Sequence, residues 1–183
     1  MKLSDRKWGE FKLDELCSYI KSGNSITEIS RKDGITPYIS ATSLNNGISA
    51  FISNKNESIA CNVISVNVNG SIGYSFFHKY NAIFSSDCKK LKIKEYSSNE
   101  YVSIFICNQI MQQKDKYCYG YKMGKRIAKQ IIILPITIQG EPDYQFMEDY
   151  IKELMFRKRQ EYIKYIKEKL KDLKVEGGGV QFN

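Results

Sequence analysis

Imidazole is nearly absent from this chain of 183 residues, with His78 the single histidine. A Ser/His or Cys/His nucleophile site would have to use it. It lies in the aromatic run Phe76-Phe77-His78-Lys79-Tyr80 with no base beside it, so a surface or core-edge histidine is expected. Five cysteines, Cys17, Cys61, Cys88, Cys107 and Cys118, are an odd number with no CxxC pair. That speaks against a zinc site or a disulfide framework and leaves them as buried small hydrophobes. No apolar run approaches the roughly 20 residues of a membrane helix. The start lacks the apolar stretch of a secretory leader, so the expected compartment is the cytoplasm, with no membrane partner.

What is present is a moderate positive bias, a formal charge of +8. It favours polyanionic partners without proving one. The excess is local. Lys114, Lys116, Lys122, Lys125, Arg126 and Lys129 face one acid, Asp115, within a short stretch, whereas the C-terminal segment is nearly balanced.

Read in order, Trp8–Phe11 suggests a short strand and Leu13–Ile20 a first helix, stopped at Ser22-Gly23-Asn24. Thr36–Ser40 reads as extended, with Pro37 at its edge. Asn45-Asn46-Gly47 carries the strongest short turn signal. Val63–Asn69 alternates as a half-buried strand should. Gly70-Ser71-Ile72-Gly73 breaks it before an aromatic strand, Tyr74–Tyr80. In Cys88–Lys94 the alternation puts Lys90, Lys92 and Lys94 on one face and Leu91 and Ile93 on the other. Tyr101–Gln113 reads as a helix, Arg126–Gln130 as a helical turn, and Ile131–Ile138 as a final buried strand.

From Asp143 to Lys174 there is no Gly or Pro. One helix of about 48 Å is expected there. Met147, Tyr150, Ile151, Leu154 and Met155 form one apolar stripe; Tyr162, Ile163, Ile166, Leu170 and Leu173 form a second, beyond the polar Arg157–Glu161. The first stripe suits the chain's own body. The second has little chain left to cover it and calls for a partner. The fold class is therefore α+β: a mixed-sheet domain over 1–142, a long helix over 143–175 for coiled-coil-like pairing, and a flexible tail over 176–183.

Several chemical motifs fail on context. Asp87-Cys88-Lys89 and Asp172-Leu173-Lys174 match the DxK of a metal nuclease, but their order around Pro142-Asp143 is wrong. Gly70–Gly73 matches the GXXG of KH domains, which joins two helices and not two strands. It reads either as a tight turn or as a loop open to close phosphate approach. Gly120–Arg126 is too short for a P-loop. Tyr117, Tyr119 and Tyr121 alternate there with Lys116 and Lys122, ahead of Lys125 and Arg126. That pattern fits a DNA-facing loop or a solvated basic one.

With these pieces assembled, the chain resembles the specificity (S) subunit of type I restriction–modification systems and the related recognition domains of some bifunctional type II enzymes. The resemblance rests on the order of Trp8–Leu16, Pro37–Ser40, Asn45–Ile48, Gly70–Gly73, Tyr119–Lys122, Ile133–Ile136 and Phe146–Ile151. Such subunits usually have two target recognition domains and two long helices that pair antiparallel; one of each here suggests half a subunit. The resemblance implies a sequence-specific DNA-recognition subunit with no catalytic residues, cofactor or metal of its own. Partner methyltransferase (modification) subunits would bind S-adenosylmethionine and methylate adenine, with or without a restriction subunit. It also implies double-stranded DNA in contact with Thr42, Asn45, Asn46, Gly70, Ser71, Tyr119, Tyr121, Lys122, Lys125 and Arg126. Lys90, Lys92 and Lys94 would be backbone contacts, and Tyr162, Ile163, Ile166, Leu170 and Leu173 a pairing face for a second copy or another half-subunit. Asn45 and Asn46 suit adenine and Arg126 suits guanine, while Asn45-Asn46-Gly47 reads equally as a plain hairpin turn. The competing reading is a half-subunit or decoy that holds modification subunits without reading DNA.

Overall fold

The structure is a computed structural model and describes residues 1–96, 98–117 and 123–176; the side chains of Lys125 and of 172–176 lie outside that description. In chain order the elements are β1 (Trp8–Lys12), α1 (Leu13–Leu16), β2 (Cys17–Ser22), β3 (Asp33–Ile39), β4 (Ile48–Ile52), β5 (Val63–Asn67), β6 (Ser75–His78), β7 (Ile83–Phe84), β8 (Cys88–Ile93), α2 (Glu100–Met111), β9 (Ile131–Pro135) and α3 (Tyr144–Glu176).

A four-stranded antiparallel sheet in the order β2-β8-β5-β6 forms the middle layer. All five residues of β5 are buried, because both faces of that sheet are covered. On one face Ile64, Val66, Leu91 and Ile93 meet Val102, Ile106 and Ile110 of α2. On the other, Val63 and Cys88 meet Ile39 and Phe84 of a second sheet, ordered β4-β3-β7. Each such aliphatic side chain, buried fully, contributes about 1.5–3 kcal/mol. The half-buried strand expected over Val63–Asn69 is thus a central one. A two-stranded ribbon, β1 with β9, closes the domain. Its β9 alternates, with Ile132 and Leu134 buried and Ile131 and Ile133 partly exposed. The wholly buried final strand is corrected accordingly.

The first helix also ends early. From Cys17 the backbone is extended, since Tyr19 to Ser22 pair with β8 and the ladder outweighs the local helical pattern. Cys17, Cys88 and Cys107 are buried as expected, but Cys61 is exposed. Cys118 lies outside the described residues.

The long helix forms for reasons legible in its own sequence. Asp143 accepts the Phe146 N–H at 3.0 Å as its cap, and Arg6 pairs with the same carboxylate at 3.6 Å. A second cap ties α3 to α2. The Asn99 carboxamide oxygen accepts the N–H groups of Tyr101 and Val102 at 3.0 and 3.1 Å, while its Nδ2 donates to Glu148 of α3 at 2.7 Å. Met147 and Ile151 are buried against α2, with Tyr150 edge-on to Phe105. Beyond Met155 the described side chains of the helix are exposed apart from Ile166, which is partly so. Its exposed half is supported by spaced ion pairs such as Lys158–Glu161 at 2.7 Å and Lys164–Glu168 at 4.0 Å, each adding about 0.2–0.5 kcal/mol.

Candidate nucleic-acid interface

Two loops meet at one end of the middle sheet. The β3–β4 connection, residues 40–47, lies against the β5–β6 connection, residues 68–74. Asn67 Nδ2 donates to the Thr42 carbonyl at 2.9 Å, and the Ser71 N–H points to the Ala41 carbonyl at 3.4 Å. Gly70, at φ +72°, leaves no room for a side chain: a Cβ there would sit 3.0 Å from the Ala41 carbonyl oxygen. Gly73, at φ +82°, admits a third segment, because its missing Cβ would come within 2.7 Å of Lys114 Cβ. The Lys114 ammonium then lies 4.9 Å above the Tyr74 ring. So Gly70-Ser71-Ile72-Gly73 is both a tight turn and a platform on which two other segments sit.

The tip of the first loop is Leu44-Asn45-Asn46, all three exposed. Asn45, Asn46 and Gly47 have φ of 49°, 52° and 79°, three left-handed residues in succession, a conformation that Asn tolerates best after Gly. The loop is a hairpin connection, as β3 and β4 pair antiparallel, but it spans eight residues and not a two-residue turn. It is braced rather than floppy. Gly47 is buried against Ile39 and Phe76, its carbonyl accepts Ser40 N–H at 2.9 Å, and Thr42 Oγ1 accepts Leu44 N–H at 3.2 Å. The two asparagine amides therefore project from a fixed backbone, and an amide edge can both donate to and accept from adenine.

The lysine ladder does not extend this surface. Lys90 is only 6 % exposed. Its ammonium donates to the Ser58 carbonyl at 2.7 Å and lies 5.7 Å from the Phe84 ring, because the face it shares with Ser65 and His78 is covered by the second sheet. Burial, and then the like charge of Lys21, lower its pKa against the opposing pull of Glu57. Lys94 lies at the far end of β8, about 20 Å along the strand from Cys88, and donates to the Glu15 carbonyl at 2.7 Å. Lys92 is half-exposed beside Tyr19. Of the three lysines, Lys90 is corrected from a backbone contact to a buried residue, while Lys92 and Lys94 reach the surface.

Arg126 is exposed on the turn Gly124–Lys129, anchored by buried Met123 and Ile127 and adjoining α1, whose Leu13 N–H donates to Gln130 at 3.0 Å. Tyr119, Tyr121 and Lys122 lie outside the described residues, as does the Lys125 side chain. On α3, Tyr162, Ile163 and Leu170 are exposed and Ile166 partly so; the Leu173 side chain is outside the description. Charge and periodicity did not point to Asn67 and Tyr74. In the structure Asn67 shares the face of Val63 and Ser65 that packs on the second sheet.

His78 is fully buried, deeper than the surface or core-edge position expected, its Nε2 2.8 Å from Ser65 Oγ and its Nδ1 3.3 Å from Tyr80 Oη. Burial lowers its pKa to about 4. Cys17, Cys88 and Cys107 are pushed up to about 12 by burial, which keeps them as inert thiols. A cleft of about 630 Å³ runs between β6, α2 and α3, from Asn46 past Phe76, Phe77 and Ile104 to Leu154. Its lining is mostly apolar, suited to packing. Among the described residues no His/Cys/Asp/Glu cluster is placed to hold a metal, and no helix is long and apolar enough to cross a membrane.

Braced loops on a layered α+β body are joined to a long helix whose described side chains beyond Met155 are mostly exposed. The chain belongs to the type I restriction modification DNA specificity domain family, which matches residues 5–165. It is 47% identical over 153 residues to the type II restriction enzyme specificity subunit S.BcgI of Heyndrickxia coagulans, covering 83% of this chain and 45% of that protein. In fold it is similar to the type I S subunit from M. genitalium, with a TM-score of 0.64 at 17% identity over 96% of this chain and 46% of the other. The HsdS subunit from Thermoanaerobacter tengcongensis superposes with a TM-score of 0.58 at 12% identity, over 82% and 38%. The chain spans less than half the length of each of these relatives.

Proposed function

We propose that this chain is the DNA-reading half of a specificity subunit. Residues 1–142 read a base sequence in double-stranded DNA, and the helix over 143–175 pairs with a second half-subunit, identical or different. Partner modification subunits, which would carry S-adenosylmethionine, methylate adenine where this chain directs them, and a restriction subunit would cut where it directs; the chain itself contributes no catalysis. The work would take place in the cytoplasm. The observation that carries this reading is the pair of exposed amides, Asn45 and Asn46, on a braced left-handed backbone beside the Gly70–Gly73 platform. Rigid placement is what base discrimination requires, at about 1–3 kcal/mol per bidentate contact. The arm supports it as well. Its 33 residues span about 50 Å, longer than one DNA turn of about 34–36 Å, so a paired arm would separate two half-sites.

The test is co-expression with the cognate modification subunits, followed by mapping of methylated bases across the host genome. A palindromic bipartite motif marks a homodimer and an asymmetric one a second, different half. Tight binding of modification subunits with no methylated motif and no DNA affinity would replace this function with the decoy role.

A further inference from the structure

We infer that Asn67 is the positioning residue that sets the register between the two recognition loops, an inference resting on the DNA-reading function proposed above. Asn67 ends β5 and is fully buried. Strand parity with Val63 and Ser65 aims its side chain into the layer between the two sheets. There its two ends do different work. Nδ2 donates to the Thr42 carbonyl at 2.9 Å, and Oδ1 accepts from Cys88 Sγ at 3.4 Å. Its backbone grips the other loop: Asn67 N–H donates to Tyr74 at 2.9 Å, and the Asn67 carbonyl accepts Gly73 N–H at 2.9 Å. One residue therefore holds the first loop by its side chain and the second by its main chain.

An amide is required at this point. The Thr42 carbonyl needs a donor and the Cys88 thiol an acceptor, and an apolar side chain of the same size offers neither. Thr42 is also the residue from which Leu44, Asn45 and Asn46 project. Hydrogen bonds to base edges tolerate only a few tenths of an ångström, so a loop released at Thr42 loses its aim. Affinity for the phosphate backbone comes from cations, whereas the Asn67 side chain bonds Thr42 and Cys88. Sequence preference and general DNA affinity therefore separate at this residue.

The test uses the full chain co-purified with its modification subunits. One duplex carries the motif mapped from methylated genomes; the other is a scrambled duplex of equal length and composition. Asn67→Leu removes donor and acceptor, and Asn67→Asp keeps shape and acceptor but loses the donor to Thr42. Ile106→Val, in the core of α2, serves as a control compared at matched distance below its melting temperature. Both Asn67 variants are expected to lower the ratio of specific to non-specific affinity by about tenfold or more, with non-specific affinity and its salt slope held within about twofold. Ile106→Val keeps the ratio. An unchanged ratio in Asn67→Asp, or an equal drop in Ile106→Val, overturns the assignment. A wild-type chain that prefers neither duplex refutes the DNA-reading function itself and takes this inference with it.

Discussion

Acid should unfold this protein partly through a single side chain. His78 is fully enclosed, with Ser65 Oγ on one ring nitrogen and Tyr80 Oη on the other and the Phe84 ring edge-on at 5.4 Å. Burial lowers its pKa from 6.5 to about 4. The sign follows directly: the unfolded chain takes up a proton below pH 6.5 and the folded chain does not. The stability held by neutral His78 is full above that pH, drains as pH falls from 6.5, and is gone near 4. The whole difference is about 3 kcal/mol, and about 2 kcal/mol of it is lost between pH 7 and pH 5. Against a typical net stability of about 5–15 kcal/mol that is a large share. Carboxylates whose pKa is lowered, such as Glu148 by Lys152 and then Asn99, act below their ordinary 4.5 and leave this window clear. Urea unfolding at pH 7 and pH 5 measures the loss, and His78→Gln should abolish it. Because the chain has a single histidine, tag-free protein also offers one imidazole C2–H signal to titrate by NMR. A midpoint near 6.5, or the same pH 5 loss in His78→Gln, refutes the reasoning.

Other consequences are equally direct. Lys114→Ala should lower the slope of log affinity against log salt by about 0.9, one phosphate contact, whereas Lys90→Met should leave that slope unchanged; a reversed pattern would restore the lysine ladder to the interface. Combined Lys122→Ala, Lys125→Ala and Arg126→Ala should weaken DNA binding and flatten its salt dependence, and titration in rising salt checks it. Gly73→Ala forces a side chain into left-handed backbone against Lys114, at a cost of about 1–3 kcal/mol, visible as a lower urea midpoint together with weaker DNA binding. Tyr162→Ser, Ile166→Ser and Leu170→Ser together should abolish dimer or half-subunit assembly in light scattering while the melting temperature of the monomeric body stays put; assembly that survives would move the pairing surface elsewhere.

How far the molecule could be read in advance depended on whether a residue's neighbours were near in sequence. The long helix was legible because its cap at Asp143, its lack of Gly and Pro and its apolar stripes are all local. Gly70–Gly73 was legible as a strand–strand loop for the same reason. Lys90 was not: its alternation is that of an exposed face, and only the second sheet, built from Asp33–Ile52 and Ile83–Phe84, buries it. His78, expected at the surface or the core edge, is enclosed by the same layer. Leu13–Ile20 looked helical until pairing with Cys88–Ile93 drew Cys17–Ser22 into a strand. Asn67 carried no motif at all; its role depends on Thr42 and Cys88, 25 and 21 residues away.

The buried polar layer between the two sheets links stability to recognition. Ser65, Asn67, His78, Cys88 and Lys90 all sit where a sandwich would ordinarily hold aliphatic side chains, and each has its polar atoms engaged. Such groups cost desolvation energy that an apolar pair would not, so their gain has to be geometric. In this chain two of the residues they hold are the ones that frame the loops: Asn67 grips Thr42, and Cys88, fastened to Asn67, begins the strand beside it. A core of Val and Leu could support the same sheets, but it would leave the Thr42 carbonyl without a donor and the Asn45-Asn46 tip free to drift. Replacing Asn67 and Cys88 together by Leu and Ala leaves the Thr42 carbonyl and Ser85 Oγ without these partners, so it is expected to lower the urea midpoint, by about 1–3 kcal/mol of stability, while erasing sequence preference. A double variant that reads DNA as the wild type does would show that the loops keep their aim without the layer beneath them.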